Sequence, residues 1–104
     1  MLEKRDEVIN KLKKLIASLK TNSISISEAY LFGSYADNRQ EEYSDIDVAL
    51  ISSEFSGVRY FDMKKIGRIV RSVDYRIEVH PFSLREKGES MFLDEIIRTG
   101  IRVA

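Results

Sequence analysis

The sequence predicts an α/β fold, one small domain whose mixed sheet of three to four strands is flanked by helices. Three observations predict it. Long stretches carry apolar residues at helical spacing, short apolar runs end at glycine, serine or proline, and the two kinds alternate along 104 residues. That length suits a single hydrophobic core, so residues 1–104 are expected to form one domain, with no room for a second, substrate-binding unit.

The first helix is expected over about residues 3–20, where Leu2, Ile9, Leu12, Leu15, Ile16 and Leu19 make one apolar stripe. Glu7 and Lys11 add a favourable pair four apart. The polar run Thr21 to Ser27 ends the helix. Ala29-Tyr30-Leu31-Phe32 then reads as a buried strand that stops at Gly33-Ser34. Tyr35 to Ser44 is polar, a helical turn followed by a loop. Asp45 to Ile51 is a second strand, polar at its start and apolar afterwards, and Ser52 to Gly57 is a loop.

Met63, Ile66, Ile69, Val70 and Val73 define a second amphipathic helix from about Val58 to Val73. Tyr75 to Val79 alternates as a third strand, with Pro81 expected to terminate it because proline cannot donate to the ladder. Ser83-Leu84-Arg85-Glu86 has the form of a capping box and is expected to start the last helix, which buries Phe92, Leu93, Ile96 and Ile97. Gly100 suits its C-terminal cap, and Ile101 to Val103 adds a short strand or tail.

Composition narrows the function. Apolar residues at 43% and charged residues at 33% describe a globular chain rather than a disordered or membrane-embedded one. No apolar run approaches the roughly 18–20 residues that cross a bilayer, and the mixed-charge start does not resemble a signal peptide. Seventeen basic residues cancel seventeen acidic ones, so no direct nucleic-acid binding is expected. The absence of cysteine removes disulfides, thiolate metal sites and cysteine nucleophiles, and it fits a cytoplasmic setting.

The chemistry is carried by Asp45-Ile46-Asp47. Residues two apart on a strand share a face, so both carboxylates point the same way. Two like charges that close oppose each other's ionisation, and a divalent cation removes that penalty. Taken alone, the pair also suits a solvated strand end. Gly33-Ser34 supplies a second feature, a glycine that lets a phosphate approach the backbone and a hydroxyl that can bond it. Alone, this too suits a plain strand-to-helix turn. Together they describe a phosphate cradle facing a metal platform. The basic face Lys64, Lys65, Arg68 and Arg71 reads first as solvated helix, and His80 as a structural or surface histidine.

Ten residues, Tyr35 to Ser44, separate Gly33-Ser34 from Asp45-Ile46-Asp47. In this the chain resembles the minimal nucleotidyltransferases of the DNA polymerase β-like superfamily, as it does in Leu31-Phe32-Gly33-Ser34-Tyr35-Ala36 and in Phe92 through Ile101. The resemblance implies a nucleotidyltransferase domain using ATP and two Mg²⁺ ions. Gly33 and Ser34 would hold phosphates, while Asp45, Asp47 and a third carboxylate, Glu78, would ligate metal and carry catalysis. Asp74 is the alternative third carboxylate. Two departures stand out, since many relatives have Arg-Gly at Asp37-Asn38 and Asp rather than Glu as the third carboxylate; Arg39 is close enough to compensate in part. Many relatives are antitoxins that transfer AMP to a tyrosine of a HEPN-domain toxin, and that partner is expected here. A module acting by contact alone and a small-molecule enzyme working across a homodimer are the alternatives.

Overall fold

The computed structural model describes residues 4–41 and 44–104. The expected roles of Leu2 and Glu3 in the first helix, and of Glu42 and Tyr43 in the loop, lie outside the described residues.

Helix α1 spans Arg5–Thr21, with Asp6 and Glu7 in its first turn and Lys20 in its last, each placed to favour the helix dipole. Its buried stripe is Val8, Leu12, Leu15 and Leu19, with Ile9 and Ile16 packed at the margin. Strand β1 (Glu28–Phe32) leads into a 3₁₀ turn, Gly33–Tyr35. Strand β2 is Ile46–Ile51, so Asp45 stands just before the strand rather than in it. Helix α2 (Arg59–Val73) follows, then β3 (Ile77–Phe82), α3 (Met91–Thr99) and β4 (Ile101–Arg102). Among the described residues, no helix is long and apolar enough to cross a membrane.

The four strands form one mixed sheet in the order β3-β2-β1-β4. β2 runs parallel to β3, and β1 runs antiparallel to both β2 and β4. Strand alternation then assigns the two faces. Ala29, Leu31, Ile46, Val48, Leu50, Ile77 and Val79 turn toward α1 and α2 in the main core. Tyr30, Ala49, Ile51 and Phe82 turn the other way, onto Leu93 and Ile96 of α3. By the same alternation Phe32, Asp47, Glu78 and His80 belong to the α3 face. The main core holds the sheet rigid, and the opposite face displays the polar groups.

Several expectations are corrected. Phe92 of α3 is exposed rather than buried, and the third strand starts at Ile77 rather than Tyr75. Pro81 does not terminate the third strand, which continues to Phe82. The carbonyls of Arg76 and Phe82 accept from Ile46 and Ser52 of the β2 segment, so the even positions bond inward and Pro81 lies outward on an edge strand, where no donor is needed. The capping box at Ser83 does form, with the Ser83 N–H donating to Glu86 Oε2 at 2.6 Å. It closes only a 3₁₀ turn, Leu84–Glu86. The helix itself starts at Met91, where Ser90 Oγ accepts from the Leu93 N–H at 3.1 Å. Ser90 lacks a glutamate three residues on, so the box signal pointed seven residues too early.

Gly100 caps α3, but for a reason other than a left-handed backbone. Its φ is −79°, and a Cβ there would stand 2.7 Å from the Ile96 carbonyl oxygen and 2.9 Å from that of Leu31. The bare α-carbon lets the chain turn directly from α3 into β4 beside β1.

Candidate active site

The site lies where β1 ends and β2 and β3 begin. Gly33 has φ +77°, a conformation that glycine adopts without strain. Its carbonyl accepts from the Ala36 and Asp37 N–H groups at 3.1 Å each, which curls the chain into the turn. Arg5 of α1 ties the turn down by donating to the carbonyls of Tyr35 at 3.0 Å and Ala36 at 2.8 Å. Among the described residues the Ser34 hydroxyl has no hydrogen-bond partner, so it is free for a ligand. Asn38 has φ +57°. Asparagine tolerates that geometry better than most residues, which accounts for its standing where relatives were expected to have glycine. Arg39 bonds Asp37 at 2.8 Å on the exposed surface, so the acid that stands in place of the expected arginine is paired by the next basic residue.

Phe32 is the register partner of Asp47, and Asp47 that of Glu78. The turn at Gly33 is thereby brought onto the Asp47 side chain, where a Cβ on Gly33 would lie 2.5 Å from Asp47 Oδ2. Burial pushes the Asp47 carboxyl above its ordinary range, Glu78 and Asp45 push it further, and His80 opposes them. His80 Nε2 is 3.6 Å from Asp47 Oδ1, and one ligand atom from each of Asp47, Glu78 and His80 lies within 4.8 Å of the others. Asp45 is exposed at the entrance to β2 and adds to the negative field on Asp47.

These residues fit a divalent cation on their own chemistry. Asp47 is short of positive charge, His80 presents a buried ring nitrogen with no hydrogen-bond partner, and the bare Gly33 lets the Asp47 carboxylate pack directly against the turn. A cation would relieve the first two together.

Asp74 is engaged elsewhere. It caps the C-terminal end of α2, where it accepts from Lys11 at 2.6 Å and from Arg76 at 2.9 Å. Burial alone would raise its pKa, but the bonds from Arg76 and Lys11 prevail and hold it well below the usual carboxylate range. Glu78 is half exposed, and its nearest cation is Arg59 at 4.0 Å. The sequence reading passed over His80 as part of the cluster. The signal was present, because His80 follows Glu78 by two on a strand, the parity already applied to Asp45 and Asp47. A cleft of about 240 Å³ opens beside His80, lined by Gly57, Arg59, Pro81, Phe82, Glu86 and Phe92.

The family model described as "Polymerase beta, Nucleotidyltransferase" matches residues 13–104. The chain belongs to this nucleotidyltransferase family. The nucleotidyltransferase is 29% identical over 99 residues to the "Putative protein adenylyltransferase MJ0141" of Methanocaldococcus jannaschii, covering 93% of this chain and 96% of that one. Among solved structures it is similar to a nucleotidyltransferase of Sulfolobus solfataricus, with a TM-score of 0.68, 19% identity and coverage of 94% and 80% of the two chains. A toxin–antitoxin structure with AMP-PNP gives 0.60 at 25% identity, covering 92% and 72%. A complex of tri-AMPylated Shewanella oneidensis HEPN toxin with its MNT antitoxin gives 0.56 at 22%, covering 96% and 71%. The four-stranded sheet with three helices is the fold of this nucleotidyltransferase family.

Proposed function

We propose that this nucleotidyltransferase transfers AMP from ATP to a tyrosine hydroxyl of a HEPN-domain toxin in the cytoplasm, silencing the toxin as its antitoxin. The observation that carries the reading is the seating of bare Gly33 on Asp47, beside Glu78. A turn suited to phosphate and a pair of neighbouring carboxylates are thus in direct contact. Support for a protein acceptor comes from the adenylyltransferase name of the M. jannaschii relative and from the toxin complexes among the structural neighbours.

In this reading the turn at Gly33 and the hydroxyl of Ser34 receive the terminal phosphates. Asp45, Asp47 and Glu78 would hold two Mg²⁺ ions. When bound, the ions offset phosphate charge and stabilise the entering and leaving oxygens of an in-line displacement. The acceptor oxygen bonds to the α-phosphorus, the bond to the β-phosphate oxygen breaks, pyrophosphate departs, and Glu78 takes the hydroxyl proton. Glu78 is accessible enough for that role. The cleft of about 240 Å³ beside His80 is smaller than a nucleotide pocket and of a size for one aromatic ring, which suits a tyrosine.

The test is incubation with a HEPN partner, Mg²⁺ and ATP labelled at the α-phosphate. Label on a partner tyrosine that disappears with Asp45→Ala or Asp47→Ala is the expected result. Protection of cells by those same variants would mean action by contact alone. Label arriving from the γ-phosphate would mean a kinase.

A further inference from the structure

His80 stands beside the carboxylates of Asp47 and Glu78 with its Nε2 unpaired. Nε2 is buried and meets no hydrogen-bond partner. The ring is fixed edge-on by Phe32, with centroids 5.0 Å apart, and by Phe92 at 5.9 Å. Its register partner on β2 is Ala49, two residues along the strand from Asp47. The separation of 3.6 Å from Asp47 Oδ1 is too long for a hydrogen bond. It suits two donors that share an ion. With metal–ligand bonds of about 2.1 Å, neighbouring donors of an octahedral cation stand about 3 Å apart and opposite donors about 4 Å. The cluster of Asp47, Glu78 and His80, within 4.8 Å, is such a set slightly opened.

We propose that His80 Nε2 is a direct ligand of the cation held by Asp47 and Glu78, and that it turns the site's preference from Mg²⁺ toward Mn²⁺ or a similar first-row ion. The inference rests on the nucleotidyltransferase reading of those two carboxylates. An all-oxygen site suits Mg²⁺, which binds nitrogen poorly, whereas an imidazole raises affinity for transition-metal ions in the Irving–Williams order. The neutral ring binds through Nε2 while Nδ1 keeps its proton. The packing of Phe32 and Phe92 supplies the orientation in advance, so little ordering cost remains on binding.

The chain has one histidine, so nitrogen-15 histidine labelling of untagged protein marks this ring alone. Electron spin-echo modulation of bound Mn²⁺ is expected to show directly coordinated nitrogen-14, replaced by the nitrogen-15 pattern on labelling. His80→Phe, which keeps a ring against Phe32 and Phe92, should abolish that modulation. It should also lower the ratio of Mn²⁺ to Mg²⁺ affinity about tenfold or more. The labelling arm needs no substitution, so it stands even if the variant folds poorly. Mn²⁺ binding that depends on Asp47 and Glu78 but shows no histidine nitrogen would overturn the ligand assignment and leave the nucleotidyltransferase site standing. Mn²⁺ binding unaffected by Asp47→Ala would overturn both.

Discussion

Gly33 rests directly on the carboxylate of Asp47, leaving 2.5 Å where a Cβ would need more than 3. The contact joins the end of β1 to the start of β2, and it makes the turn and the carboxylate a single unit. A change in either is felt by the other.

Gly33→Ala is therefore expected to lose on two counts. Its φ of +77° disfavours any side chain, by about 1 kcal/mol or more, and the new methyl group displaces Asp47. Thermal unfolding should show a Tm lower by several degrees. Nucleotidyl transfer should fall at least tenfold, more than the stability loss explains. Activity close to wild type would mean that the turn does not set the Asp47 position.

Asp47→Asn should stabilise the metal-free protein at neutral pH. The folded pKa of Asp47 is raised, so its contribution to stability is intact below about pH 4 and is lost as pH climbs through the raised value. The Tm difference between variant and wild type should accordingly widen from pH 4 to pH 7, to a few degrees, where about 1 kcal/mol corresponds to 4–8 °C. Added Mn²⁺ or Mg²⁺ should raise the Tm of the wild type and leave the variant unmoved.

Asp74 has the opposite sign. Its folded pKa is depressed, so its stabilisation is complete above about pH 4 and is lost as pH falls through the depressed value. Asp74→Ala strips Lys11 and Arg76 of their shared partner and should cost about 3 kcal/mol at pH 7 by denaturant titration. The gap to wild type should narrow in acid. A variant that kept its stability but lost metal binding would put Asp74 in the site after all.

Asn38 offers a cleaner backbone test. With φ at +57°, Asn38→Gly should be neutral or stabilising by a few tenths of a kcal/mol, whereas Asn38→Val should cost about 1–2 kcal/mol. Equilibrium unfolding of the two variants against wild type decides it.

Much of this arrangement was legible in the sequence because it rests on periodicity. The stripes of α1 and α2 and the apolar runs of β1 and β2 are local signals, and the structure keeps their bounds to within a residue or two of where described residues allow comparison. Gly33 and Ser34 could be paired with Asp45 and Asp47 because strand ends concentrate such features. What escaped depended on neighbours. The harmlessness of Pro81 follows from the edge position of β3, which only the strand order reveals. The engagement of Asp74 by Lys11 spans 63 residues and leaves no local mark. The start of α3 was missed because a complete capping box outweighed the simpler serine cap at Ser90.

The outward-facing Pro81 has one more consequence. Both borders of the sheet are poor templates, β3 because it lacks a donor at Pro81 and β4 because it offers only two residues. Another strand cannot readily zip onto either side, which protects a small sheet against runaway stacking. A companion molecule is thereby steered toward side-chain contacts rather than shared backbone.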